Sequence, residues 1–119
     1  MALVTNKPLA QSVQILRAFG LLEYFPLRVG GDGPLPRKPN PEGLRFLMGE
    51  ASASPQNTVL VGDSTVDLQT ARKAGVRICL ARYGFGFHDL AAGDLNGEEV
   101  LLDDPREIPT IIERLLHAH

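Results

Sequence analysis

The sequence predicts an α/β fold in which a parallel sheet is flanked by helices, and three features predict it. Short apolar strands alternate with helix-patterned segments along the whole chain. Gly20 and Gly75 fall where two of those helices must stop and turn back. The stretch Thr58-Val59-Leu60-Val61-Gly62-Asp63-Ser64-Thr65-Val66-Asp67 reads as a buried strand that passes through a tight turn into a helix. In open parallel sheets, ligands bind beyond the carboxyl ends of the strands, so that turn is where chemistry is expected first.

Taken in order, Leu3-Val4-Thr5 forms a short strand and Asn6-Lys7-Pro8 turns the chain, with Pro8 suited to a first helical turn. Leu9, Val13, Leu16 and Phe19 share the spacing of one helical face, which Gly20 ends. Tyr24–Val29 supplies a second strand, with Pro26 arguing for a sheet edge. From Gly30 to Pro39 the glycines and prolines fit neither element and predict a loop carrying Arg37 and Lys38. Asn40 as N-cap and Pro41 as first helical residue start the next helix, whose buried stripe is Leu44, Leu47, Met48 and Ala51.

Beyond the strand-turn-helix, Val76–Ala81 forms another strand, and the glycines of Tyr83-Gly84-Phe85-Gly86-Phe87 mark a loop. Its aromatics fit packing over the end of the sheet or, alternatively, the lining of a ligand site. Val100-Leu101-Leu102 forms a last short strand, and Asp103-Asp104-Pro105 opens a final helix. That helix has an apolar stripe of Ile108, Ile111, Ile112, Leu115 and Leu116.

Composition narrows the function. With 119 residues, 44% hydrophobic and 22% charged, the chain reads as one globular domain or a large part of one. A net charge of −2 gives no electrostatic reason to expect nucleic acid or an anionic membrane as partner. No apolar run is long enough to span a bilayer and no leader pattern is present, so a cytoplasmic location is expected. Cys79, the lone cysteine, lies in an apolar run and reads as a buried strand residue, with no His in an evident partner position.

Asp63 and Asp67 stand four apart, so both carboxylates can lie on one side of the turn and first helical turn. Such a pair suits a hard divalent cation, most readily Mg2+, which takes one or two carboxylates and fills its shell with water or phosphate oxygens. The same residues also fit an N-cap at Asp63 and an exposed surface Asp67. Thr5 and Asn6 close the first strand, and Lys38 lies just ahead of a helix. A hydroxyl, an ammonium and a metal carboxylate are the parts needed to hold a phosphoryl group and offset its charge.

The stretches LVTNKP (Leu3–Pro8), VGGD (Val29–Asp32), RKPNPEGLRFLM (Arg37–Met48), VLVGDSTVDLQTARKAGV (Val59–Val76) and YGFG (Tyr83–Gly86) occur in one order over nearly the whole chain. In that order and spacing the chain resembles the haloacid dehalogenase-like hydrolases, and within them the phosphoglycolate-phosphatase-like branch. The resemblance implies a three-layer, Rossmann-like core with residues 1–119 as its C-terminal part. It implies a Mg2+-dependent phosphatase acting on a small phosphorylated metabolite such as 2-phosphoglycolate. By the same resemblance Thr5 donates its hydroxyl to the substrate phosphate with Asn6 beside it, and Lys38 neutralises phosphate and nucleophile. Asp63 binds Mg2+, and Asp67 supports the metal site or orients Lys38.

The resemblance also implies an Asp-x-Asp motif, nucleophile and general acid/base, on a central strand ahead of LVTNKP, where this sequence has only Met1 and Ala2. A cap domain that selects substrate would lie between that motif and LVTNKP. The fold is therefore expected to be incomplete, without nucleophile strand or cap, and the chain inactive alone because no phospho-aspartyl intermediate can form. Two alternatives are a non-catalytic phosphate- or metal-binding module and a subunit completed by a partner chain. With the nucleophile strand missing, the strand of Thr58–Val61 is expected to pair directly with that of Leu3–Thr5. Dimerisation or partner binding through the exposed strand edges is the other outcome.

Overall fold

A computed structural model describes residues 1–117, apart from the side chains of Phe85, Ala92, Leu116 and His117. The expected roles of Leu116 and of the Phe85 ring therefore fall outside the described residues. The chain divides into two compact units, Met1–Ser52 and Ala53–His119. No helix among the described residues is long and apolar enough to cross a membrane.

In the first unit, β1 (Ala2–Val4) and β2 (Leu27–Val29) pair in parallel, Ala2 opposite Leu27 and Val4 opposite Val29. The crossover is α1 (Leu9–Ala18), which starts directly after Pro8. It ends where Gly20 takes φ +70°. The Gly20 N–H donates to the Arg17 carbonyl at 3.1 Å and the Leu21 N–H to the Leu16 carbonyl at 2.8 Å, the paired bonds of a Schellman ending. The expected stripe holds only in part. Leu9, Val13 and Leu16 are half-buried, Ser12 is the buried residue, and Phe19 is 75% exposed. Phe19 sits at the C-cap, where the backbone has already left the helix, so helical spacing no longer fixes its direction.

The expected strand Tyr24–Val29 shortens to its last three residues, because Leu22–Tyr24 forms a 3-10 turn and Pro26 has no N–H for a ladder. Helix α2 spans Glu42–Glu50, and the Asn40 carboxamide oxygen accepts the Glu42 N–H at 2.9 Å. Pro41, expected as the first helical residue, is the N-cap, and Asn40, expected as the cap, supplies the acceptor from one residue further out. Leu44, Leu47 and Met48 are buried, and so is Gly43, whose bare Cα faces the Val4–Val29 pair. A Cβ there would meet Val29 Cγ1 at 3.3 Å and Val4 Cγ2 at 3.4 Å, which lets the helix lie close on the sheet. Ala51, expected inside, is the exposed C-cap residue.

In the second unit, β3 (Val59–Gly62), β4 (Arg77–Ala81) and β5 (Val100–Leu102) form a parallel sheet in that order. Register sets Val59 opposite Arg77 and Cys79 opposite Val100. Residues two apart share a face, so Val59, Cys79, Val100 and Leu102 lie together and pack against Ile108, Ile111 and Leu115 of α4 (Ile108–His117). The alternate positions Leu60, Ile78 and Leu80 are buried as well, as are Leu68, Ala71 and Ala74 of α3 (Thr65–Ala74), which packs on β3 and β4. Gly75, at φ +73°, closes α3 with the same paired bonds as α1, to Arg72 and Ala71. Asp104 caps the 3-10 turn Pro105–Glu107 that leads into α4, while Glu107 reaches back to the Asp104 N–H at 2.9 Å.

The α/β architecture, the parallel strands and the last short strand are as the sequence predicts. Within each unit, taken by itself, β1 pairs with β2, and β4 lies between β3 and β5. Every pairing joins strands consecutive in the chain.

Candidate functional site

Both candidate constellations form at the carboxyl ends of strands, and each is built within its own unit. In the first, Thr5 extends β1 by one bond, its N–H donating to the Val29 carbonyl at 3.0 Å. Its hydroxyl oxygen accepts the Lys7 N–H at 3.1 Å, which orients the side chain and leaves the hydroxyl proton to donate. Asn6 reaches across thirty-two positions to Lys38. Its Nδ2 donates to the Lys38 carbonyl at 3.0 Å and its Oδ1 accepts the Lys38 N–H at 2.8 Å. The Asn6 side chain thus ties the Lys38 backbone to the end of β1, next to Thr5, and all three residues are half-buried.

The glycine pair beside them explains how this is possible. A Cβ on Gly31 would stand 1.9 Å from the Asn6 carbonyl oxygen, and one on Gly30 would stand 2.6 Å from Leu9 Cβ. Only bare backbone can come this near, and the Gly31 N–H uses the approach to donate to the Lys7 carbonyl at 2.8 Å. Arg37 closes the same loop, donating from Nε to the Gly31 carbonyl at 2.8 Å. Asp32 accepts the first N–H of α1, that of Leu9, at 3.1 Å. Pro8, at the helix start, makes no side-chain cap bond, so the cap comes from twenty-three residues along the chain. We expect Asp32→Ala to destabilise the first unit by about 1 kcal/mol, the usual worth of an N-cap, read as a lower urea midpoint. An unchanged midpoint would show that α1 does not depend on this carboxylate.

In the second unit, Asp63 follows β3, and Ser64, not Asp63, is the N-cap of α3. The Ser64 oxygen accepts the Asp67 N–H at 3.4 Å. Asp67 is buried, at 6% exposure, so the reading of it as a surface residue is corrected. Its Oδ2 accepts the Asp63 N–H at 3.0 Å and the Ser64 hydroxyl at 3.1 Å. Gly62 makes room for it, since a Cβ there would lie 2.4 Å from Asp67 Cβ. Asp67 therefore spends this oxygen on holding the turn, at the positive end of the α3 dipole. Asp63 is left partly exposed, with its Oδ2 3.5 Å from the Gly86 N–H.

The loop after β4 encloses that carboxylate. A Cβ at Gly84 would fall 2.3 Å from Asp63 Cβ, and one at Gly86 would fall 2.8 Å from Ser64 Cβ. The sequence marks these glycines as loop formers; their close approach to Asp63 is visible only in three dimensions. Tyr83 is 48% exposed and does not pack away over the sheet. Partial burial, then the carboxylates of Asp104, Asp63 and Glu107, push its phenol above the ordinary range. Phe87 is half-buried. Cys79 is fully buried in the α4-facing core, and burial pushes its thiol up against a weaker pull from Arg114, as suits a structural cysteine.

Among the described residues, no three His, Cys, Asp or Glu side chains gather as a metal cluster. Mg2+ does not require one: a single protein carboxylate can suffice when water and phosphate fill the remaining positions. The hard oxygen donors of a partly exposed Asp63, held by its neighbours at a strand end, fit that demand.

A chain of parallel strands flanked by helices, alternating in this way, belongs to the broad class of Rossmann-like α/β folds. Residues 1–81 match the model of the haloacid dehalogenase-like hydrolases, and the chain belongs to that family. Over 112 residues it is 38% identical to a phosphoglycolate phosphatase of Cupriavidus necator, covering 94% of this chain and 48% of that protein. A phosphoglycolate phosphatase of Escherichia coli is 33% identical over 118 residues, covering 99% of this chain and 43% of its own length. The chain thus spans about half the length of the curated relatives it matches. A crystal structure of a predicted phosphoglycolate phosphatase from Haemophilus somnus superposes with a TM-score of 0.82 at 32% identity, over 92% of this chain and 48% of that one. The core domain of a Streptococcus pneumoniae protein shares the fold, with a TM-score of 0.70 at 21% identity, over 93% of this chain and 74% of that one.

Proposed function

We propose that residues 1–119 are the C-terminal part of the core of a cytoplasmic, Mg2+-dependent phosphomonoesterase whose substrate is a small metabolite resembling 2-phosphoglycolate. The observation that carries this reading is the placing of Asp63 beyond β3, its N–H held by the Asp67 carboxylate and its own carboxylate lying beside the Gly84–Gly86 backbone. Asp63 is the metal ligand and Asp67 its support. Thr5 donates its hydroxyl to the phosphate, Asn6 stands beside it, and Lys38 offsets the negative charge. When bound, Mg2+ supplies positive charge against the phosphoryl oxygens.

The 119 residues contain no Asp-x-Asp. In this reading they supply no nucleophile and show no turnover by themselves. A partner chain or second copy that adds a strand is a companion reading, favoured by one feature: among the described strands β1 and β3 each have a single paired neighbour.

Calorimetric titration tests the metal assignment. The chain is expected to bind Mg2+ weakly and Asp63→Ala to abolish the heat, whereas equal affinity in both proteins would remove Asp63 from the site. Sustained hydrolysis of p-nitrophenyl phosphate by the purified chain, lost in Asp63→Asn, would overturn the expected inactivity.

A further inference from the structure

We propose that the Asn6 side chain is a positioning residue for Lys38, acting on the phosphate only through that lysine. This rests on the reading of Lys38 as a phosphate-binding group and changes what is asked of Asn6. A planar carboxamide that gives one bond to a residue's carbonyl and takes one from the same residue's N–H imitates a strand neighbour. Two such bonds fix rotation as well as position. The Lys38 backbone has need of this. It lies in a loop with Pro36 and Pro39 on either side, neither of which has an N–H to donate.

The anchor is itself rigid. Asn6 follows the Thr5–Val29 bond at the end of β1, and its own carbonyl is pressed against Gly31. Arg37, next to Lys38, is tied to that same Gly31 carbonyl. The Lys38 backbone is therefore referred to β1 through Asn6 and to the glycine pair through its neighbour. An ammonium on a four-carbon stem reaches a reproducible place only if its Cα does, and orientation of this kind sets binding strength.

The test is a double-mutant cycle on the 119-residue chain, with inorganic phosphate as probe and affinity read from NMR titration. Lys38→Ala is expected to weaken binding strongly, to a level that titration at high phosphate concentration still measures. Asn6→Ala, and Asn6→Asp, which keeps the acceptor but loses the donor, should each weaken it about tenfold, the scale of one or two lost hydrogen bonds. Combining either with Lys38→Ala should add no further loss. If the losses add, Asn6 contacts phosphate by itself and the positioning role is overturned. Exchange of the Lys38 amide supplies the readout independent of phosphate: Asn6→Ala should make it fast while the β1–β2 amides stay protected. Unchanged protection of that amide overturns the tether. If Lys38→Ala binds phosphate as the unsubstituted chain does while Asn6→Ala releases the amide, the tether stands and the phosphate role of Lys38 falls.

Discussion

Gly31→Ala lowers the stability of the first unit by about 3 kcal/mol, the upper range for forcing an added group into a packed site. The new methyl would lie 1.9 Å from the Asn6 carbonyl oxygen, 2.4 Å from its carbonyl carbon and 2.9 Å from its Cα. All three are backbone atoms, so no rotamer change relieves the overlap. The chain must part instead, which removes the Gly31–Lys7 bond and pulls on the Arg37 tie to the Gly31 carbonyl. Gly31 has no positive φ, so the effect isolates contact from backbone preference. Gly33, at φ +94° with nothing within 4 Å of a Cβ, is the control for the opposite case. Urea midpoints measure both, and a Gly31→Ala protein as stable as the unsubstituted chain would contradict the close approach.

The second large effect is expected at Asp67. Asp67→Ala takes the acceptor from the Asp63 N–H and the Ser64 hydroxyl and leaves them in a half-buried turn. The loss is about 3 kcal/mol, because each stranded donor costs on the order of 1–3 kcal/mol and partial access to water relieves some of it. Asp67→Asn keeps an acceptor of the same shape and should lose about 1 kcal/mol, the worth of making a charge-assisted bond neutral. Thermal unfolding ranks the three proteins. If Ala and Asn substitutions cost the same, the hydrogen bonds from Asp63 and Ser64 do not set the stability of this turn.

Much of the fold was legible because its signals are local. Gly20 and Gly75 mark helix ends whose bonds lie within six residues, and the Asn40 acceptor serves a helix start two residues on. The apolar runs of β3, β4 and β5 carry their burial in their own composition. Reading failed where a residue's role is set at long range. Asp67 looks like a surface carboxylate in the helical pattern, and only the turn of Gly62–Ser64 folded over it makes it buried. Phe19 and Ala51 were assigned to buried stripes by periodicity, which says nothing of a side chain at a cap. The sequence offers Thr5, Asn6, Lys38 and Asp63 as candidates, but not the amide pairing of Asn6 with Lys38. That bond depends on how Gly31 folds back against β1, which no spacing rule encodes.

The cap that Asp32 gives to α1 links events that would otherwise be separate in folding. A ten-residue helix is too short to persist alone in water, and its first turn is the expensive part to form. Here the group that stabilises that turn lies beyond β2, next to the glycine pair, so the helix start is complete only when that loop is in place, and opening of the loop at Asp32 loosens it. Helix, strand and loop then behave as one cooperative segment, opening and closing as a foldon, with the loop's tethered lysine moving in step.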